Sequence, residues 1–373
     1  MKAFRGRSRN PSVILESAMT QFPVFKRYKQ KQDGRDLYIY GTQAHTLPWL
    51  TELPSLTSVS NPQLRWHPLR QEWVGYAAHR QNRTFKPPAA HCPFCPTLQN
   101  GFPTEIPCRD FEVAVFENRF SAFSLKARSA PKLSLASAPA IGRCEIIVYS
   151  PSHRGSLGSL SLQQLELIVR VWSDRYRDLM ARESIQFVMP FENRGEEVGV
   201  TLHHPHGQIY AFSYVPPVVA KMQMAFRAKP VLQEWRQIMS RDYYIFDDNA
   251  VFAFVPPCQR YPYEMWLTTH QFHPGLWTFS AAEIQSLART LGKIVRLYDR
   301  LFNRPCPYIM VLYAAPKGEE KYFQFHIQFL PFLRAADKLK YLAGCETGAG
   351  TFLADLLPEE TAAQLRQLSH ERF

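Results

Sequence analysis

The chain has 373 residues, of which 46% are hydrophobic and 20% charged, with a formal net charge of +12. That length allows one large domain or two ordinary ones, with interior enough for a sizeable core. No run of about 18 apolar residues occurs, so no membrane span is expected, and the N-terminus lacks the apolar core and small-residue cleavage site of a secretory signal.

The charge is unevenly placed. Residues 1–34 hold eight Lys and Arg against Glu16 and Asp33, a local net of +6. This segment reads as a ragged basic extension in preference to a targeting presequence or a binding arm. The rest of the excess suits a protein that handles phosphorylated anions. No long basic stripe interleaved with aromatics is present, so nucleic acid is not an expected partner. Seven cysteines are an odd number, thinly spread. Cys108, Cys144, Cys258, Cys306 and Cys345 show no pairing logic, which fits a reduced, cytoplasmic setting, while Cys92 and Cys95 form a CPFC pair suited to a metal.

After a Pro- and polar-rich stretch to about residue 60, EWVGYAA predicts a strand and HRQNR the loop that follows it; FEVAVFENRF (111–120) predicts another strand. Two longer stretches then resemble one another. EIIVYS, the loop SPSHRG, a helix, IQFVMPFENRGEE and HPHGQIYAF form the first. YEMWLTT, HQFHPG, a helix, YIMVLYAAPKGEE and FHIQFLPF form the second. Each helix opens on a capping-box pattern, Ser161 with Gln164 and Ser280 with Glu283. From Ser161 to His206 is 45 residues and from Ser280 to His326 is 46, which argues for an internal duplication. Leu162, Leu165, Ile168, Val169, Trp172, Tyr176 and Leu179 give the first helix a core-facing stripe. Helices mixed with antiparallel-looking strands make the class α+β. The expected division is an extension and linker over 1–59, one repeat over 60–217 and a second over 218–373.

The first repeat is rich in imidazole. HHPHGQ (203–208) places three histidines within four positions, whereas the second repeat has Gln324 at the place of His204 and keeps only His326 and Gln328. On a strand, His204 and His206 share a face, with Pro205 stiffening the turn and Gly207 admitting a ligand closely. Two imidazoles so placed suit a shared metal or a division between ligation and nucleophilic attack. The two-residue gap of Cys92 and Cys95 lets both thiolates reach one zinc, and no histidine pair stands near enough for a self-folding finger. The remaining ligands must come from afar, with His153 and His204 as candidates beside the neighbours His91 and His203. Thr201 and Gln208 supply neutral donors, and Arg80 and Arg83 forked positive charge, for phosphate oxygens.

These residues carry a resemblance. EWV…HRQNR, CPFC, FENRF, SPSHRGSL, FENRG…HPHGQIYAF and the tail KYLAGCETGAGTFLADLLPEE resemble the galactose-1-phosphate uridylyltransferase family, the branch of the histidine-triad superfamily with two fused repeats, over roughly residues 60–370. The resemblance implies a duplicated histidine-triad-like fold of antiparallel sheets with flanking helices. It implies a ping-pong transfer of UMP from UDP-glucose to galactose 1-phosphate, with His206 as nucleophile and Gln208 bonded to the transferred group. Cys92, Cys95, His153 and His204 match zinc ligands. Arg80, Arg83, Asn118, Asn193, Gly199 and Thr201 match nucleotide-contact positions, and Lys340, Tyr341 and Glu346 match a sugar-contact tail that family homodimers lend to each other.

Departures from the pattern stand beside it. Gln328 replaces one histidine of a second metal site found in some members, and PPVVAKMQMAFRAKP offers no matching glutamate, so no iron site is expected although His270, His273 and His326 remain. Asn118 and Arg119 replace an asparagine–aspartate pair, Thr201 replaces a serine, and Cys345 and Phe352 stand at aromatic and glutamine positions. These changes leave open an ADP-sugar phosphorylase or adenylyltransferase, or a nucleotide-sugar hydrolase, using the same histidine. From another class, a non-catalytic zinc-stabilised nucleotide- or RNA-binding protein is the rival.

Overall fold

A computed structural model describes residues 12–13, 22–55, 61–83, 85–248 and 250–370. The reading of the chain's start as a ragged extension therefore lies outside the described residues up to residue 21, apart from a two-residue strand, β1 (Ser12–Val13), paired with β2 (Phe25–Gln30). Beyond it the structure differs from an extension and linker. β2 and β3 (Asp36–Gly41) form an antiparallel hairpin whose second strand joins the main sheet. The cause is alternation in DLYIYG: Leu37 and Ile39 enter one core cluster while Tyr38 and Tyr40 enter another. The basic residues are paired as well, Lys26 with Asp174 at 2.7 Å and Lys31 with the buried Glu105.

β4 (Gln63–His67), β5 (Glu72–Tyr76) and β7 (Ser137–Pro139) make a small three-stranded sheet, and HRQN of HRQNR lies in a single 3₁₀ turn, Ala78–Asn82, that Arg83 ends in extended conformation. The first repeat continues with β6 (Val113–Glu117), β8 (Gly142–Val148), α1 (Leu162–Met180), β9 (Phe187–Arg194) and β10 (His206–Phe212). The second holds α2 (Pro217–Ala228), α3 (Val231–Ile238), β11 (Tyr244–Asp247), β12 (Val251–Phe254), β13 (Met265–Thr269), α4 (Ala281–Leu301), β14 (Tyr308–Tyr313) and β15 (His326–Pro331). A short hairpin, β16 (Leu333–Ala335) with β17 (Lys338–Leu339), and α5 (Pro358–His370) follow.

Among the described residues one sheet of 12 strands runs through both repeats in the order β1-β2-β3-β6-β8-β10-β9-β14-β15-β13-β12-β11. β9 and β14 hold equivalent places in the repeats and pair antiparallel, Arg194 opposite Tyr308 and Phe191 opposite Val311. The strand order thus reads outward from that junction as 9-10-8-6 on one side and 14-15-13-12 on the other, as a duplication about a pseudo-twofold axis requires. The class is α+β.

α1 and α4 pack on each other and on one face of the sheet. Both begin where the serine signals place them, but the two caps differ. Ser280 and Glu283 form a reciprocal capping box. Ser161 accepts from the Gln164 N–H at 3.1 Å, while the Gln164 side chain turns to the carbonyls of Glu112 at 2.8 Å and Tyr149 at 2.7 Å, so it ties α1 to the sheet and leaves the box half-made.

The expected stripe of α1 is buried, Leu162 only partly. Arg175 is also fully buried and forks onto Glu145 of β8 at 2.8 and 2.9 Å. Removing one member of such a pair strands a buried charge. Arg175→Met is accordingly expected to lower unfolding free energy by about 3 kcal/mol, read as a shifted urea midpoint at unchanged slope.

Candidate active site and metal centre

The register of β10 on β8 fixes which way the histidine run points. His206 lies opposite Val148 and Gln208 opposite Ile146, and both partners belong to the cluster containing Phe94 and Phe116, on the face away from α1. Gly207 and Ile209, between and beyond them, turn toward the helices. Gly207 does something other than admit a ligand: a Cβ there would lie 2.3 Å from the Tyr149 hydroxyl and 3.0 Å from the Phe191 carbonyl. The glycine is required so that Tyr149 can pack beneath the strand.

His204 does not share the face of His206. β10 starts only at His206, because Pro205 has no N–H for the ladder, and His204 turns into a separate cluster. Its Nδ1 lies 3.9 Å from Cys92 Sγ and 3.5 Å from Cys95 Sγ, and His153 Nδ1 is 3.5 Å from Cys95 Sγ. The four potential ligand atoms all lie within 4.8 Å of one another. His204 Nε2 stands 2.9 Å from the Ser150 carbonyl, so Nε2–H donates there and Nδ1 keeps its lone pair for a metal. Burial lowers the His204 pKa to about 4 and keeps the ring neutral. Burial, and then Cys92, push the Cys95 thiol up; a cation reverses that by favouring thiolate. Two cysteines and two histidines, with the His204 tautomer fixed in this way, fit a tetrahedral metal. His91 packs on Phe102 and His203 faces Glu196 at 3.4 Å, outside the cluster.

His206 is joined to this centre through the main chain. Its Nδ1 lies 2.7 Å from the His204 carbonyl, so Nδ1–H donates and Nε2 is left with the lone pair. Burial lowers its pKa, opposed by that bond. Its ring meets Phe94 edge-on at 4.9 Å. His206 and Gln208 line a cavity of about 530 Å³ together with Arg80, Arg83, Asn118, Asn193, Gly199 and Thr201. The structure thus brings all the expected nucleotide-contact residues to one cavity. Arg80 donates to the Phe120 carbonyl at 2.9 Å, and Arg83 Nε to the Arg80 carbonyl at 3.1 Å, which fixes the two guanidiniums relative to each other. Gly199 sits at φ +81°, ending the 3₁₀ turn Glu196–Val198 that carries the wall.

A second cavity of about 220 Å³ also reaches His206 and is lined by Gly155, Ser156, Glu192, Asn193 and Arg194. Glu192 went unnoticed in the sequence. It is buried, each oxygen 3.3 Å from a tyrosine hydroxyl, Tyr149 and Tyr308. Burial, only partly offset by Arg194 and those hydroxyls, raises its pKa from 4.5 to about 7. The FENRG string contained it, but a carboxylate in so polar a string, two residues from Arg194, reads as exposed until the sheet covers it.

Other expected residues lie elsewhere. Neither cavity at His206 is lined by Lys340, Tyr341 or Glu346 of the same chain. Lys340 is buried and pairs with Glu346 at 3.0 Å, and the Glu346 carboxylate also accepts from the Ala343 and Leu353 N–H groups, holding its pKa down to about 2. Tyr341 is 72% exposed. In the second repeat the three remaining histidines are dispersed. His270 meets Asp247 at 2.7 Å, His273 meets Glu283 at 2.8 Å, and His326 is walled by Phe226, Trp266, Tyr313 and Phe323.

The sequence matches two family models, described as galactose-1-phosphate uridyl transferase, N-terminal domain, over residues 52–216 and C-terminal domain over residues 220–373. It is 35% identical over 323 residues to a galactose-1-phosphate uridylyltransferase of Thermotoga maritima, covering 83% of this chain and 99% of that protein. One of Streptomyces lividans is 31% identical over 366 residues, covering 91% and 97%. A solved structure titled "Structure of uridylyltransferase" superposes with a TM-score of 0.75 at 28% identity, covering 83% of this chain and 99% of that one.

Two measurements check this geometry. Cys92→Ser removes a thiolate, so metal content by plasma emission spectrometry is expected to fall and stability to drop by about 2 kcal/mol or more, since metal binding adds to folding free energy. Glu192 holds a proton in the folded chain between about pH 4.5 and 7 that the unfolded chain has released. Its contribution to stability is therefore full below the unfolded value and is lost as pH rises to about 7. Glu192→Gln is expected to shrink the loss in unfolding free energy between pH 5 and pH 8 by roughly 2–3 kcal/mol. An identical loss in both proteins would show that the carboxyl does not titrate there.

Proposed function

The chain belongs to the galactose-1-phosphate uridylyltransferase family, and from that premise we propose that it moves UMP from UDP-glucose to galactose 1-phosphate through a covalent intermediate on His206. The observation that carries this reading is the 2.7 Å bond from His206 Nδ1 to the His204 carbonyl. It leaves Nε2 as the nucleophilic nitrogen on a cavity that also holds Arg80 and Arg83.

In the first half-reaction Nε2 attacks the α-phosphorus. An N–P bond forms, the bond from that phosphorus to the bridging oxygen breaks, and glucose 1-phosphate leaves with the electron pair. In the second, a phosphate oxygen of galactose 1-phosphate attacks the same phosphorus and the imidazole leaves. A neutral imidazole suits both roles near pH 7, and the His204 carbonyl takes up part of the positive charge that the uridylylated ring acquires. Gln208, two residues along the same face, donates to a non-bridging oxygen. Asn118, Asn193, Gly199, Thr201 and the two arginines position the nucleotide and neutralise its phosphates, which is the main demand of such transfers.

The metal we assign to Cys92, Cys95, His153 and His204 is zinc, on the donor set of two thiolates and two imidazoles. When bound it supplies a rigid anchor for the His204 main chain. Residues 60–217 and 218–373 are taken as the two repeats, each with its helix and its share of the sheet, and residues 25–41 as an added hairpin on the first. The tail that carries Lys340, Tyr341 and Glu346 reaches the reactive centre of a second copy through Tyr341, so the working unit is a homodimer. This rests on the family resemblance and on neither cavity at His206 being lined by these residues of the same chain; the paired, buried Lys340 and Glu346 hold the tail in shape while Tyr341 protrudes. A cytoplasmic location accords with seven unpaired cysteines and with the absence, among the described residues, of any helix long and apolar enough to cross a membrane.

The test is covalent labelling. Radiolabelled UDP-glucose is expected to leave label on the peptide containing His206, and ADP-glucose little; label from ADP-glucose alone would overturn the uridylyl assignment. His206→Gly is expected to keep metal and fold and lose transfer by about 10⁴-fold or more, whereas Gln208→Ala is expected to lower kcat by about 10²-fold.

A further inference from the structure

Three buried polar side chains lie beneath the strand that carries His206. Tyr149 meets the start of β10 on both sides of that histidine. Its N–H donates to the Pro205 carbonyl at 3.3 Å, and its hydroxyl stands under Gly207, 2.3 Å from the place of a Cβ. One oxygen of Glu192 lies 3.3 Å from that hydroxyl and the other 3.3 Å from the hydroxyl of Tyr308. All three residues are buried. Glu192 therefore links the end of β8, its own strand β9, and β14 of the second repeat. Tyr308 packs on Tyr298 of α4 at 6.2 Å and on Phe329 of β15 at 5.5 Å. Arg194, bonded to Asp299 of α4, lies 5.6 Å from the Tyr308 ring. Glu192 and His206 line the same cavity of about 220 Å³.

The duplication supplies an internal comparison. His206 lies opposite Val148 and His326 opposite Thr268. Gln208 lies opposite Phe191 and Gln328 opposite Val311. One residue further along each strand, Tyr149 corresponds to Thr269, Glu192 to Leu312 and Gly207 to Ile327. Under the packed histidine the space is filled by Ile327 and Leu312, both buried. Under the open one all three positions change together. The strand loses its branched side chain, a phenol comes beneath it, and a carboxyl meets the buried hydroxyl, which needs a partner. Burying a carboxyl costs free energy that aliphatic side chains avoid. Of the two halves, it is the one with the reactive histidine that accepts this cost.

We infer that Glu192, acting through Tyr149 and Gly207, is a positioning residue for the transfer, fixing the height of the His206 ring against the α-phosphorus. This rests on the transfer reading above, and it gives the second repeat a part in holding the nucleophile. Gly207 has no side chain by which to anchor the strand. The Tyr149 hydroxyl supports it there, and that hydroxyl shifts only as far as Glu192 and Tyr308 allow. A displacement of about 1 Å at the reacting atoms costs about 10²-fold in rate. As a neutral acid Glu192 donates to one hydroxyl and accepts from the other, and a glutamine amide can do both.

The test reads the single-turnover rate at which radiolabelled UDP-glucose marks His206, beside metal content and calorimetric affinity for UMP. Glu192→Leu keeps the bulk and drops the polar link. It is expected to label about 10- to 100-fold more slowly, with metal content unchanged and UMP affinity within about twofold. Glu192→Gln is expected to stay within about threefold of the unaltered rate. Tyr149→Phe is expected to slow labelling by about 3- to 10-fold, and to slow it no further when added to Glu192→Leu, since residues acting as one unit are not additive. An unaltered rate in Glu192→Leu overturns the inference. So does a loss that Glu192→Gln shares in full, or one that comes with an equal loss of UMP affinity or metal. If Glu192→Leu does not fold, Tyr149→Phe, short of one hydroxyl, decides alone, and an unaltered rate there overturns the inference. If the unaltered protein is never labelled at His206, the transfer reading fails instead. Hydrogen exchange then decides the positioning role: the amides of residues 206–208 are expected to exchange about tenfold faster in Glu192→Leu, and unchanged exchange ends it.

Discussion

One hydrogen bond joins the two halves of the site. The His204 ring belongs to the Cys/His cluster and its carbonyl takes the Nδ1 proton of His206 at 2.7 Å. A neutral bond of this kind contributes only about 1 kcal/mol net. Its importance lies in the tautomer it enforces, because Nδ1 cannot give up its proton without stranding a buried carbonyl. Whatever fixes the His204 main chain therefore fixes the free nitrogen of His206. The Ser150 carbonyl on His204 Nε2 and the proposed metal on Nδ1 do so from opposite sides of the ring.

The second repeat shows how far that device survives when the surroundings change. His326 Nδ1 lies 3.0 Å from the Gln324 carbonyl, the counterpart of the bond in the first repeat. Gln324, in the place of His204, donates to the Thr269 carbonyl at 3.3 Å. Around His326 stand Phe226 from α2, Trp266, Tyr313 and Phe323. The outer face of the sheet is packed there by α2 and α3, whereas in the first repeat the loops that carry Arg80, Cys92 and Glu105 arch over it and leave a cavity. The same strand geometry thus yields an open imidazole in one half and a packed one in the other.

The N-terminal hairpin shows why a charge count misleads. Lys26 and Lys31 stand in a basic stretch, yet their partners, Asp174 and Glu105, are 148 and 74 residues away, and Arg35, besides its neighbour Asp33, reaches Glu105 70 residues on. Local sequence contains no trace of such pairing. Only alternation in DLYIYG signalled a strand, and it is short enough to be outweighed by the surrounding charge.

Local chemistry was legible in the sequence by itself. The repeated strand–helix–strand pattern, both helix starts, the CPFC pair and the concentration of imidazole at 203–206 depend on neighbours within a few residues, and periodicity and capping act at that range. The need for distant ligands made His153 and His204 candidates beside the cysteines, and the family motifs match the same four residues. What only the tertiary structure decided depends on contacts between distant segments: that Pro205 sends His204 and His206 into different sites, that Gly207 makes room for Tyr149, that Glu192 is buried and proton-holding, and that Glu105 and Arg119 close the far end of the cavity. Each of these follows from strand register and burial, which arise when the whole sheet assembles, and the order of residues along the chain encodes them without displaying them.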